Sequence, residues 1–83
     1  MDIVRTINAK VTAGTLRCDV PLETWADYGS GRSCDGCGQA IARTAFEHEW
    51  DFEDGCTLRF HSACAAVLHD ECGRQGRQAQ WRP

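Results

Sequence analysis

No stretch of this sequence approaches the roughly 18 consecutive apolar residues that a membrane span needs. The first residues, Met1-Asp2-Ile3-Val4-Arg5, lack the basic start and continuous apolar core of a secretory signal. Basic charge is also short. Nine Lys and Arg stand against twelve Asp and Glu, and the net charge of −3 excludes nucleic-acid binding through overall electrostatics. Three Trp, three Phe, one Tyr and one Met leave little to fill an interior. At 83 residues the chain allows one small domain, which buries about 60–65% of its unfolded surface and is marginally stable on its core alone. Also missing are a carboxylate pair, a Ser/His/Asp set and a phosphate loop. Gly29-Ser30-Gly31 has neither the G-x-G-x-x-G spacing nor the flanking strand and helix. These absences set the expectation: a cytoplasmic protein with reduced thiols, not an enzyme and not membrane-bound.

Cysteine is what the chain has in excess, with six in 83 positions. In an oxidising compartment six would suggest three disulfides. In a reducing one, metal ligation is the better use, and the spacing supports it. Cys34 and Cys37 form a C-x2-C pair followed by Gly38, and His61 and Cys64 form an H-x2-C pair, with 23 residues between Cys37 and His61. Two such pairs can close one tetrahedral shell around Zn²⁺, with Zn–S near ~2.3 Å and Zn–N near ~2.0 Å. Gly36 and Gly38 are read as allowing positive φ, so that the chain wraps tightly and its amides point at the sulfurs. His61 and Cys64 stand three apart at the start of a helix, whose N-terminal partial charge favours the Cys64 thiolate. Three thiolates, one neutral imidazole and Zn²⁺ leave a charge of about −1, which calls for nearby donors. Cys56 is an alternative third ligand. Cys72 is expected as a buried small hydrophobe and Cys18 as a loop thiol without a partner. His69 and Cys72 repeat the H-x2-C spacing, but no second C-x2-C completes a site with them.

Along the chain, residues 2–13 read as an amphipathic helix. Ile3, Ile7 and Val11 form its stripe, Val4 widens it, Asp2 caps the start and Gly14 stops it. Leu16, Val20, Leu22 and Trp25 then make an extended apolar arm broken by Pro21, and residues 26–33 read as a turn-rich linker. Phe46, His48, Trp50 and Phe52 alternate with Glu47, Glu49, Asp51 and Glu53, the period-2 pattern of a half-buried strand. An odd loop, Asp54-Gly55-Cys56, would pair Phe52 with Leu58, Trp50 with Phe60 and Asp51 with Arg59. His48 falls on the apolar face, as a hydrogen-bonded core residue. A second helix is expected from about Ser62 to Cys72, with Gly73 as its stop. The organisation is thus one domain over 1–72, made of the helix and arm (1–25), the linker (26–33) and a zinc module (34–72). A basic, mobile tail follows over 73–83, carrying Arg74, Arg77 and Arg82 together with Trp81. The fold class is a small metal-stabilised α+β protein.

A knuckle, a hairpin, and a helix whose first turn supplies the last two ligands resemble a treble-clef zinc finger. The C-x2-C-x23-H-x2-C string is similar to the first zinc module of LIM domains and to small uncharacterised bacterial proteins with the same layout. Carried over by position, the resemblance implies one Zn²⁺ held by Cys34, Cys37, His61 and Cys64, with Gly38 completing the knuckle. A LIM domain follows its H-x2-C with another C-x2-C, whereas here Ala65-Ala66-Val67-Leu68 continues a helix. The second zinc module is absent, and no LIM partner is implied. The expected function is a protein-interaction, adaptor or regulatory module that uses the carboxylates of Glu47, Glu49, Asp51 and Glu53, with Leu22 and Trp25 as a groove. One alternative is a nucleic-acid-associated regulator acting through the basic tail. The other is a zinc or redox sensor or metalloenzyme with His48 or His69 as base. Monomer and dimer both remain open.

Overall fold

The computed structural model describes residues 1–75; the tail expected to be mobile lies, from residue 76 onward, outside them. Two helices and one three-stranded antiparallel sheet follow in the order α1 (Ile3–Thr12), β1 (Glu23–Tyr28), β2 (Phe46–Asp51), β3 (Thr57–His61) and α2 (Ser62–Arg74). No helix among the described residues is long and apolar enough to cross a membrane.

Helix α1 forms as its sequence dictates. The Asp2 carboxylate accepts from the Arg5 N–H at 3.2 Å, and Gly14 takes φ +79° just past the end. Ile7 and Val11, one turn apart, are fully buried against α2. Val4 does not widen the stripe: at 45% exposure it lies outside the face that α2 covers. The core gathers Ile7, Val11, Leu16, Ile41, Trp50, Phe52, Phe60 and Leu68 around the cysteines. Trp50 and Phe60 meet with ring centroids 4.8 Å apart. Burying one such large side chain contributes about 1.5–3 kcal/mol, so a core of this size leaves little margin over chain entropy.

The expected hairpin gains a third strand. Ala26, Asp27 and Tyr28, read as linker, finish β1, which pairs with β2 from Glu23↔Asp51 to Tyr28↔Phe46. Pairing continues beyond the strands as the Gly29 N–H donates to the Ala45 carbonyl at 2.8 Å and the Gly31 N–H to that of Ile41 at 2.9 Å. Residues 29–45 are therefore the closed end of a long β1–β2 hairpin, and the C-x2-C turn sits near its tip. Gly29 is required there, since a Cβ would lie 2.0 Å from the Ala42 carbonyl oxygen.

The β2–β3 register differs from the expected one by two residues. Trp50 pairs with Leu58 and Glu49 with Arg59, and the loop is Glu53-Asp54-Gly55, closed by the Phe52 N–H on the Cys56 carbonyl at 2.8 Å. A shift of two keeps the same side chains on each face, so alternation could not discriminate between the registers. Turn chemistry decides: Gly55 adopts φ +89°, and the Asp54 carboxylate accepts from the Cys56 N–H at 3.1 Å. The outer end of β2 also reverses expectation. Phe46 is exposed and stacks on Tyr28, while Glu47 is buried, accepting from the Ser30 hydroxyl at 2.6 Å and facing Arg59 at 3.4 Å. The Ser30 hydroxyl, working against the cost of burial, holds Glu47 below the usual carboxylate range. His48 is half-buried and within 2.8 Å of the Ser62 hydroxyl.

Cys18 and Cys72 overturn their expected roles. They form a disulfide across 54 residues, tying the segment after α1 to the last turns of α2. Packing of α1 on α2 brings the two together, and no local spacing announces that contact. Helix α2 also runs through Gly73 to Arg74. A cross-link over a loop of this length stabilises by about 4 kcal/mol in the chain-entropy account. The paired substitution Cys18→Ser/Cys72→Ser is therefore expected to lower unfolding free energy in denaturant by about 2–4 kcal/mol, with the native sheet retained.

Candidate metal centre

The four residues singled out by spacing meet at one point. Donor atoms of Cys34, Cys37, His61 and Cys64 all lie within 4.8 Å of one another, and the Cys37 Sγ and His61 Nδ1 are 3.4 Å apart. In a tetrahedral zinc shell, ligand atoms are separated by about 3.5–3.8 Å at ordinary bond lengths. The three cysteines are buried and His61 is half-buried.

Local structure places each donor. The knuckle turns at Gly38, φ +82°, where the Gly38 N–H reaches the Cys34 carbonyl at 2.8 Å and the Cys34 N–H reaches the Gln39 carbonyl at 2.8 Å. Gly36 serves another purpose than positive φ. A Cβ there would sit 3.0 Å from the Cβ of Cys64 and 3.2 Å from the Cδ1 of Ile7, so glycine lets the knuckle press onto the helices. His61 ends β3 and is the N-cap of α2. Cys64, three residues later, points the same way from the first turn.

Amides and one cation surround the cluster. Cys34 Sγ accepts from the N–H of Gly36 at 3.3 Å and of His61 at 3.4 Å. Lys10, on α1, donates to the carbonyls of Asp35 at 3.1 Å and Gly36 at 2.9 Å, placing positive charge behind the knuckle. Burial pushes the Cys34 thiol up, but amides of Cys37, His61 and Gly36 more than offset it and bring it down to about 7. Burial, followed by the neighbouring Cys34 charge, pushes the Cys64 thiol up to about 12. The cluster thus holds one sulfur ready to ionise and one that resists until a cation offsets the repulsion.

The remaining candidates stand apart. Cys56 is a free, half-exposed thiol beside the hairpin loop and is not in the cluster. Cys72 is in the disulfide, which removes the His69/Cys72 pair as a thiolate site. Two contributors escaped sequence reading. Lys10 is 26 residues from the carbonyl of Gly36 that it clamps, and only the packing of α1 reveals it. Asp35, inside the C-x2-C turn, accepts from the Arg59 N–H at 2.7 Å and fixes the knuckle to β3. Comparison of the chain with protein-family models, curated proteins and solved structures found no match.

Two outcomes follow. In the metal-free protein, Cys34 ionises near 7 rather than at the ordinary 9.0, so its stabilising contribution is full above pH 9 and is lost as pH falls through 7. Because ligation also strips the Cys64 proton, apparent zinc affinity should rise steadily from pH 6 to pH 8 in competition with a chromophoric chelator. Gly36→Ala should weaken zinc binding by about tenfold in the same assay, within the range of losses known when the support of a metal site is disturbed.

Proposed function

We propose that this chain is a zinc-stabilised protein-interaction module, a single treble-clef-like finger extended at its N-terminus by α1 and β1. The gathered Cys3His cluster is the observation that carries the reading. Three soft thiolates and an imidazole suit zinc, and four protein ligands fill a tetrahedral shell. No position is then left for water or substrate, so the ion serves the fold rather than catalysis at the metal. The order of knuckle, β2–β3 hairpin and α2 supports the treble-clef comparison. Ala65 to Leu68 continue α2, where a LIM domain would begin its second module.

The exposed sheet supports an interaction role. Leu22, Trp25, Tyr28 and Phe46 are each more than half exposed, a high share of the large apolar residues in so small a molecule. Glu49 and Asp51 lie half-buried on the face of Trp25, opposite that of Tyr28 and Phe46, whereas Glu47, engaged by Ser30 and Arg59, is not available as expected. The Cys18–Cys72 disulfide departs from the fully reduced thiols expected; wherever it is reduced, the metal would be the remaining cross-link to α2.

Affinity capture tests the role. Zinc-loaded protein on a matrix should retain specific proteins from a lysate, unaffected by nuclease and lost with Cys37→Ser, in which one ligand is gone. Retention of nucleic acid that falls steeply with salt and depends on Arg74, Arg77 and Arg82 would instead establish the nucleic-acid reading.

A further inference from the structure

The sheet has two outer edges, and only one is closed. Along β3, Asp35 occupies the outward backbone groups of Arg59, with its carboxylate on the N–H and its own N–H on the carbonyl, both at 2.7 Å. The His61 N–H turns to Cys34 Sγ. The metal knuckle therefore covers that edge.

Along β1 the phase of the ladder is set by the Gly29 N–H on the Ala45 carbonyl. With the register Glu23↔Asp51 to Tyr28↔Phe46, the backbone groups of Glu23, Trp25 and Asp27 face β2, and those of Thr24, Ala26 and Tyr28 face outward. The Tyr28 N–H is taken by the Asp27 carboxylate at 2.7 Å. The outward N–H groups of Thr24 and Ala26 meet no partner among the described residues, and all six β1 residues are exposed. An open edge of this kind is a template for another strand.

The two faces beside that edge differ in chemistry. Glu23, Trp25 and Asp27 share one face with Glu47, Glu49 and Asp51; Glu23 stands opposite Asp51, Asp27 opposite Glu47, and the exposed Trp25 opposite Glu49. Arg59 pairs with Glu47 and Glu49, and Asp51 accepts from the Trp25 indole N–H at 3.0 Å and the Thr57 hydroxyl at 2.8 Å. The other face presents Thr24, Ala26 and Tyr28, the last stacked on Phe46.

We propose, resting on the interaction-module reading above, that the outer edge of β1 docks an extended segment of a partner protein in which basic and apolar residues alternate. Such a segment would add a fourth strand, set its basic side chains over the carboxylate face and lay its apolar ones toward Ala26, Tyr28 and Phe46. A second copy fits less well, because β1 carries Glu23 and Asp27 and no basic residue, and pairing it with itself crowds like charges.

The test titrates full-length, zinc-loaded protein with a synthetic peptide of alternating arginine and valine, and with its glutamate–valine counterpart, observed by amide NMR and hydrogen exchange. The expected result is salt-sensitive binding of the arginine peptide alone, with shifts confined to residues 22–28 and 45–51. Thr24 and Ala26 amides should exchange fast in the free protein and slow at least about tenfold when bound. Ala26→Pro deletes an outward N–H that β2 does not use and should weaken binding about tenfold. Glu23→Lys should weaken it comparably and serves if the proline variant fails to fold. Equal binding of both peptides, shifts centred elsewhere, Thr24 and Ala26 amides already protected in the free monomer, or protection arising only through dimerisation would each overturn the proposal. Capture of proteins from lysate that survives both substitutions would reject this edge while keeping the module; capture of none would reject the module itself.

Discussion

Three sulfurs and an imidazole nitrogen crowd within 4.8 Å where the knuckle meets the first turn of α2. Without a cation that junction is uncomfortable. Burial and a neighbouring thiolate push Cys64 up to about 12, and the amides aimed at Cys34 stabilise a negative charge that nothing inside the cluster balances. With Zn²⁺ the same features become favourable. The amides and the Lys10 ammonium then offset the residual charge of about −1, and the ion joins residues 34–37 to residues 61–64 across the middle of the chain. Apparent zinc-binding energies at such sites are on the order of 10 kcal/mol, comparable with the whole stability of a domain this small.

Much of the architecture follows from where that junction sits. The knuckle lies near the tip of the β1–β2 hairpin, and Asp35 within it fastens to the backbone of β3. One turn therefore anchors the site, closes one sheet edge and abuts α1 through Gly36 and Ile7. The disulfide acts at the far end of α2, near Glu71, where Asn8 donates to that buried carboxylate at 2.8 Å. Helix α2 is thus held at its far end by the disulfide and in between by Leu68, and a metal on His61 and Cys64 would hold its near end. That division explains how so few large apolar residues suffice.

The parts readable from sequence share one property: their signals are local. Asp2 and Gly14 bounded α1, alternation marked β2, and two short cysteine and histidine spacings named all four members of the cluster. What escaped depended on partners distant in sequence. Strand β1 carries no burial pattern, because every residue in it is exposed, and only pairing with β2 reveals it. The β2–β3 register slipped by two because that shift preserves both faces. Cys18 and Cys72, 54 residues apart, offer no spacing that separates a disulfide from two buried thiols. Lys10 reaches carbonyls 25 and 26 residues away, a contact that no local pattern signals.

The central claim is that a bound metal, more than the apolar core or the disulfide, keeps this molecule folded. Native mass spectrometry and circular dichroism, run side by side before and after treatment with a strong chelator and with the disulfide left intact, measure this most directly. One zinc ion per chain is expected, with loss of the cooperative melt as that ion is removed. A protein that carries no zinc when purified, or one whose melting is unchanged after the zinc has been stripped, would contradict it.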